Sequence, residues 1–141
     1  MNVRTAAGIV LGIAVWWVLF MASTFLIVVA WPTSEAFRQA VFDAGDYSVF
    51  PTAMLLAFLA MYVPIGLIAG RAAVSITRAA RHAWIVAAPI LLFALFQHLY
   101  VLWNNLPNWY NVAVVLLIAP FIVVGGRSVK PSGSPILRSR S

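Results

Sequence analysis

The chain has 141 residues, a length typical of one domain, and its composition excludes an ordinary soluble fold. Hydrophobic residues account for 64% of the chain and charged residues for 9%, whereas soluble domains average roughly 45–50% and 25%. The net charge is +6 and there is no cysteine, so disulfides and thiolate metal sites are excluded.

Four apolar runs are long enough to cross a membrane, because an α-helix spans the roughly 30 Å hydrocarbon core in about 20 residues. The predicted spans cover residues 6–31, 51–70, 83–103 and 109–125. The sequence therefore predicts an all-α integral membrane protein, with a compact bundle of four transmembrane helices within residues 1–126.

The first span carries a packing signal and two unusual aromatic residues. Gly8 and Gly12 form a G-x-x-x-G step, a spacing at which helices approach each other closely. Trp16 and Trp17 lie near the middle of the span, away from the membrane interfaces where tryptophan is enriched. We therefore expect at least one of the two indoles to face protein and to find a hydrogen-bond partner.

Residues 32–50 form the longest loop and contain all three acidic residues of the chain. Thr33 or Ser34 can cap a short helix, whose apolar face would lie on the membrane surface. Asp43 and Asp46 lie close together in sequence, but two carboxylates without further oxygen ligands do not make a calcium loop. We interpret them as part of a solvated turn.

The second span repeats the packing signal, with Gly66 and Gly70 four residues apart. The segment after it, residues 71–82, holds three arginines. These arginines either contact anionic lipid head groups or simply set the topology of the chain.

Polar and aromatic residues are concentrated between Gln97 and Asn111, where the third span ends, the chain turns and the fourth span begins. Most of this composition is typical of a membrane interface. Gln97 and His98 are deeper, since His98 lies roughly 9 Å below the boundary at 1.5 Å per residue. Ser23 and Thr24 share that depth on the first span, so we predict a polar cluster of these four residues, joined by interhelical hydrogen bonds.

Three roles are open for His98, the only side chain within a span that titrates near neutral pH. It can be a structural hydrogen-bond partner of Ser23 or Thr24. It can belong to an outward-facing pocket for a quinone head group, a lipid or a small solute. It can also be a metal or haem ligand, but His82 is roughly 24 Å away along the helix, so only a second chain could supply another histidine. From the sequence we predict no metal site and no cofactor.

Basic residues are distributed asymmetrically about the spans. Eight of the nine precede the first span, separate the second from the third or follow the fourth, whereas Arg38 shares the 32–50 loop with the acids. The positive-inside rule then places both termini in the cytoplasm and the 32–50 loop outside, as in a multi-pass protein of the bacterial inner membrane. Residues 127–141 are expected to form a disordered basic tail. Nucleic-acid binding is not expected, because the basic residues are scattered and not interleaved with aromatics.

No catalytic motif is present, and no span contains an aspartate or a glutamate. The leading hypothesis is a non-catalytic accessory or assembly subunit, which binds a membrane-protein partner or itself within the lipid bilayer. The alternative is a homo-oligomeric channel or carrier for a small solute, with its pathway at the predicted polar cluster. A membrane enzyme or a quinone- or lipid-binding protein is the third hypothesis.

Overall fold

The computed structural model describes residues 2–31 and 35–129, and every regular element in this part of the chain is helical. The α-helices are α1 Val3–Ala30, α2 Glu35–Arg38, α3 Thr52–Thr77, α4 His82–Phe96 and α5 Asn108–Arg127. Single π-helical turns, Gln39–Asp43 and Gln97–Val101, extend α2 and α4, and a 3₁₀ turn covers Tyr47–Val49.

Four of these helices are long and apolar enough to cross a membrane: α1, α3, α5, and α4 together with its π-helical turn. This confirms the prediction of a helical chain with four apolar spans. Helix α3, which contains the predicted second span, continues past the predicted end of that span at Gly70 as far as Thr77. It stops at Arg78, whose φ of 58° is left-handed. The predicted caps Thr33 and Ser34, and residues 130–141 of the predicted tail, lie outside the described residues.

The four long helices alternate in direction, which gives the bundle two distinct ends. We call one end the loop end: α1 and the π-helical turn after α4 finish there, and it carries residues 35–50 and the turn 102–107. We call the other the arginine end, because α3 and α5 finish there beside Arg78 and Arg127.

Helix α3 is the centre of the bundle, since it packs against both α1 and α5, while α4 packs mainly against α5. Glycines lie at these contacts. A Cβ added to Gly12 would lie 2.8 Å from Cβ of Ala73, and one added to Gly66 would lie 2.8 Å from Cβ of Phe121. The absence of side chains at these positions therefore lets α3 approach its two neighbours closely.

Gly8 and Gly70 have similarly crowded surroundings. A Cβ on Gly8 would meet Thr77 and the Ala73 carbonyl of α3, and one on Gly70 would run into the Ile122 carbonyl of α5. The two glycine pairs of the sequence thus face different neighbours: the α1 pair faces α3, and the α3 pair faces α5.

Candidate functional site

A partly open cavity of about 480 Å³ lies in the half of the bundle nearest the loop end. All four long helices and the 35–50 loop contribute to its wall. Its deepest lining residues are Trp16 and Ile118, near the midpoints of α1 and α5. The cavity therefore reaches from the loop end to about the middle of the bundle.

Aromatic side chains form a connected wall on one side of the cavity. The Trp16 and Phe20 rings are stacked with centroids 5.0 Å apart, and Phe20 stacks in turn on Tyr62 of α3 at 5.9 Å. Trp17 contacts Phe93 of α4 edge to face at 4.8 Å. Because these pairs join α1 to both α3 and α4, the wall depends on packing between helices and not on any one helix.

The 35–50 loop covers part of the cavity with apolar side chains. Val41, in the π-helical turn, is buried and lines the cavity, and Tyr47 and Phe50 line it from the next turn of the loop. Phe50 also packs against Phe58 of α3, with ring centroids 5.8 Å apart. The loop is thus anchored on the bundle at the cavity.

Asp46 stabilises the turn that presents Tyr47 and Phe50. Its carboxylate accepts hydrogen bonds from the Ser48 hydroxyl at 2.6 Å and from the Ser48 backbone N–H at 2.9 Å. These two hydrogen bonds, the hydroxyl one first, lower the pKa of the exposed Asp46 carboxyl below its ordinary value, since both favour the charged form. The negative charge thereby caps the 3₁₀ turn Tyr47–Val49.

His98 and Asn111 form a buried polar pair at the cavity. The His98 ring is 7% exposed and the Asn111 side chain is fully buried. Nδ1 of His98 lies 2.9 Å from Oδ1 of Asn111, and Nδ2 of Asn111 donates to the carbonyl oxygens of Leu102 and Leu106 at 3.4 and 3.3 Å. Asn111 therefore ties the end of α4 to the turn that leads into α5.

The surroundings of Asn111 fix the orientation of both groups. Only the amino side of the amide can face two carbonyl oxygens, so the oxygen must face His98. An oxygen accepts a hydrogen bond, so Nδ1 of His98 carries the proton. The neutral ring then has its lone pair on Nε2.

Three of the four residues in the predicted polar cluster line the cavity: Thr24, Gln97 and His98. Ser23 does not line it, and its hydroxyl donates to the Phe20 carbonyl of its own helix at 3.0 Å. No hydrogen bond from Ser23 or Thr24 to His98 is found in the described part of the chain, where the ring instead pairs with Asn111 through Nδ1. A serine can satisfy its hydroxyl within one helical turn, so it has no need of an interhelical partner.

Sequence reasoning missed two residues of the site, Tyr110 and Asn111, because the sequence alone explains both by the membrane interface at the start of the fourth span. Both are buried, and Tyr110 contacts the His98 ring edge to face at 5.9 Å. The Tyr62 ring of α3 lines the same cavity and is buried as well. The available signal was position: His98 lies five residues before the predicted end of its span at residue 103, and Asn111 lies two residues after the predicted start of the next at residue 109, so both fall inside the spans.

Trp16 departs from expectation in another way. Trp16 is 2% exposed and is the more deeply buried of the two central tryptophans. This agrees with the expectation that at least one of the two indoles faces protein. The indole N–H of Trp16, however, has no hydrogen-bond partner in the described part of the chain. The expected partner for this donor is therefore not found there.

Comparison with protein-family models, with curated proteins and with solved structures finds no match for this chain. Within residues 2–31 and 35–129, no three histidine, aspartate or glutamate side chains are grouped so as to hold a metal ion.

Proposed function

We propose that the protein binds one small, largely apolar and aromatic molecule in the cavity at the loop end of a transmembrane bundle. The observation that carries this proposal is the cavity itself, about 480 Å³ in volume, with aromatic walls and with Thr24, Gln97 and His98 among its lining. Binding sites for small molecules typically have roughly 300–1,000 Å³ of mostly apolar space and a few polar groups that orient the ligand.

The charge distribution supports an orientation for this cavity. Arg78 and Arg127 mark the arginine end, and the acids of the chain all lie in the loop at the other end. With arginines on the cytoplasmic side, both termini are inside and the cavity belongs to the outer leaflet of a plasma membrane, which in a bacterium is the inner membrane. A ligand would then enter from the lipid or from the outer aqueous side.

The cavity gives less support to the hypothesis of a channel or carrier. Its described lining stops near the level of Trp16 and Ile118 and includes no residue of the arginine end. Within one chain this cavity therefore ends near the middle of the bundle, so a homo-oligomeric channel or carrier would need a path that this cavity does not supply.

One observation favours a second candidate, the accessory or assembly subunit. Only 11% of the apolar window of α1 is buried within the bundle, against 50% for α3 and for α5. A helix so little covered by its own chain has a face free for a partner helix as well as for lipid. This candidate is compatible with ligand binding in the cavity.

The proposed binding is tested by filling the cavity. Ala94 lines it and is buried, so the Ala94→Phe variant should place a ring where the ligand would lie. We expect wild-type protein in mild detergent to bind the probe 4-hexylanisole with one-to-one stoichiometry in native mass spectra and with a raised unfolding temperature. Ala94→Phe should abolish both effects.

Ala88→Phe is the matched control, because Ala88 is an exposed residue of the same helix. A second filling variant, Thr24→Phe, approaches from α1 in case Ala94→Phe fails to fold. Equal binding by wild type and both filling variants would refute the proposal. The same spectra report on the second candidate, since an accessory subunit should leave the membrane as a heteromeric complex.

A further inference from the structure

We infer that the ligand carries a hydrogen-bond donor on an aromatic ring, as a phenol or a hydroquinone does, and that it donates to Nε2 of His98. This inference rests on the proposed binding function and narrows the class of ligand. It follows from the orientation of the Asn111 amide. That orientation leaves a hydrogen-bond acceptor, Nε2 of His98, facing the cavity.

The first step concerns which atom of His98 is available. Nδ1 is occupied by Asn111. Nε2 has no hydrogen-bond partner in the described part of the chain. The buried unpaired side-chain nitrogens and oxygens there belong to other residues, so Nε2 itself is not fully buried and keeps accessible surface. Because the ring lines the cavity, Nε2 is the polar atom that His98 offers to a ligand.

The second step concerns the chemical character of Nε2. Asn111 holds the proton on Nδ1, so Nε2 of the neutral ring is an acceptor. A doubly protonated ring would present a donor instead, but an imidazolium in an apolar bundle requires a counter-charge. The four long helices contain no acidic residue, and the one ion pair in the described part of the chain joins Glu35 and Arg38. The ligand must therefore supply the proton of this hydrogen bond.

The third step concerns the other polar groups of the cavity. Thr24 and Gln97 also line it, but a hydroxyl and an amide can each donate or accept. These two side chains can satisfy a second polar group of either kind, so they do not discriminate between ligands. The indole N–H of Trp16 also lacks a partner in the described part of the chain, but it is buried away from the open space of the cavity. Among His98, Thr24 and Gln97, only His98 therefore imposes a requirement, and that requirement is a donor.

The fourth step concerns the body of the ligand. Trp16, Trp17 and Phe93 belong to the connected aromatic wall of the cavity, and flat rings make favourable stacked and edge-to-face contacts with such a surface. A donor attached to an aromatic ring fits both the wall and Nε2. A phenol or hydroquinone is thus preferred to a quinone, whose two oxygens only accept.

The experiment compares two probes of nearly the same shape. 4-Hexylphenol donates a hydrogen bond, whereas 4-hexylanisole carries a methyl group on the same oxygen and only accepts. Affinities are measured for the full chain in mild detergent, and the cavity-filling Ala94→Phe variant corrects for uptake of each probe by the detergent. We expect the phenol to bind about three- to tenfold more tightly, as the loss of one buried hydrogen bond implies.

The His98→Phe variant keeps an aromatic ring and removes the acceptor. It should bind both probes equally and so lose the preference for the phenol. Should this variant fold poorly, ¹⁵N NMR of histidine-labelled wild-type protein provides an independent measurement. The unprotonated ring nitrogen of His98 should be Nε2, and its resonance should shift on addition of the phenol but not of the anisole.

The outcomes separate the two proposals. Equal affinity for the two probes, tighter binding of the anisole, or a proton on Nε2 in the unliganded protein would overturn the inference while leaving the cavity as a binding site. Failure of wild-type protein to bind either probe would overturn the proposed function and the inference with it.

Discussion

Asn111 is the residue on which the local structure of the site depends most. Its amide makes one hydrogen bond to a side chain and two to backbone carbonyls, and these bonds are buried or partly buried. Buried polar groups are costly when unpaired and cohesive when fully paired. Asn111 thereby fixes the His98 ring and closes the turn at the same time.

The first prediction at this scale is that Asn111→Ala destabilises the protein. The substitution leaves Nδ1 of His98 and the carbonyls of Leu102 and Leu106 without their partner, so we expect the free energy of unfolding to fall by about 1–3 kcal/mol. Unfolding in mixed detergent micelles measures this difference. Asn105→Ala is the control, because Asn105 is exposed in the same turn; an equal loss in both variants would contradict the role given to Asn111.

Residue depth could be estimated from the sequence, but residue partners could not. Counting residues from the ends of the spans placed His98, Gln97 and Thr24 at a common level, and all three line one cavity. The same count left open which helix faces His98, since that depends on how α4 and α5 rotate about their axes. Asn111 was overlooked because an asparagine near a helix start is usually an interface residue.

The π-helical turn at the end of α4 is the element that positions this site. The Leu102 N–H donates to the Gln97 carbonyl at 2.8 Å, a five-residue spacing that widens the helix. Such turns change the direction in which side chains project and are frequent at functional sites. No periodicity in an apolar sequence distinguishes this turn from an ordinary helical one, so the sequence predicted only a helix here.

The contact between α3 and α5 leads to a second prediction, on Gly70. An alanine suits a helix better than a glycine by about 1 kcal/mol, but its Cβ would run into the Ile122 carbonyl and lie 2.9 Å from the Gly126 nitrogen. Overpacking against backbone costs about 1–3 kcal/mol, so we expect Gly70→Ala to lower the unfolding temperature despite its better helix propensity.

Ala60→Leu provides the comparison for Gly70→Ala, because it adds more bulk to the exposed side of the same helix. A change of at most about 0.5 kcal/mol is expected there. If Gly70→Ala were as stable as the wild type, the close approach of α3 and α5 would not be needed for folding.

At the scale of the whole molecule, composition and periodicity predicted the bundle well and the cavity poorly. Four runs of apolar residues are enough to predict four long helices, because backbone groups in lipid must be satisfied within the helix. The cavity instead arises where side chains of α1, α3, α4, α5 and the 35–50 loop fail to fill the space between them. Such a void depends on the relative placement of distant segments, which no local pattern encodes.

The last prediction concerns the direction in which the cavity faces. Ala44 is exposed at the loop end, and Ala80 is exposed at the arginine end. Since the chain has no cysteine, an Ala44→Cys or Ala80→Cys variant contains one thiol and needs no background correction. The excess of arginines near Ala80 predicts a cytoplasmic location for that end. A membrane-impermeant maleimide should therefore label Ala44→Cys in intact cells and label Ala80→Cys only after permeabilisation, whereas the reverse pattern would place the cavity on the cytoplasmic side.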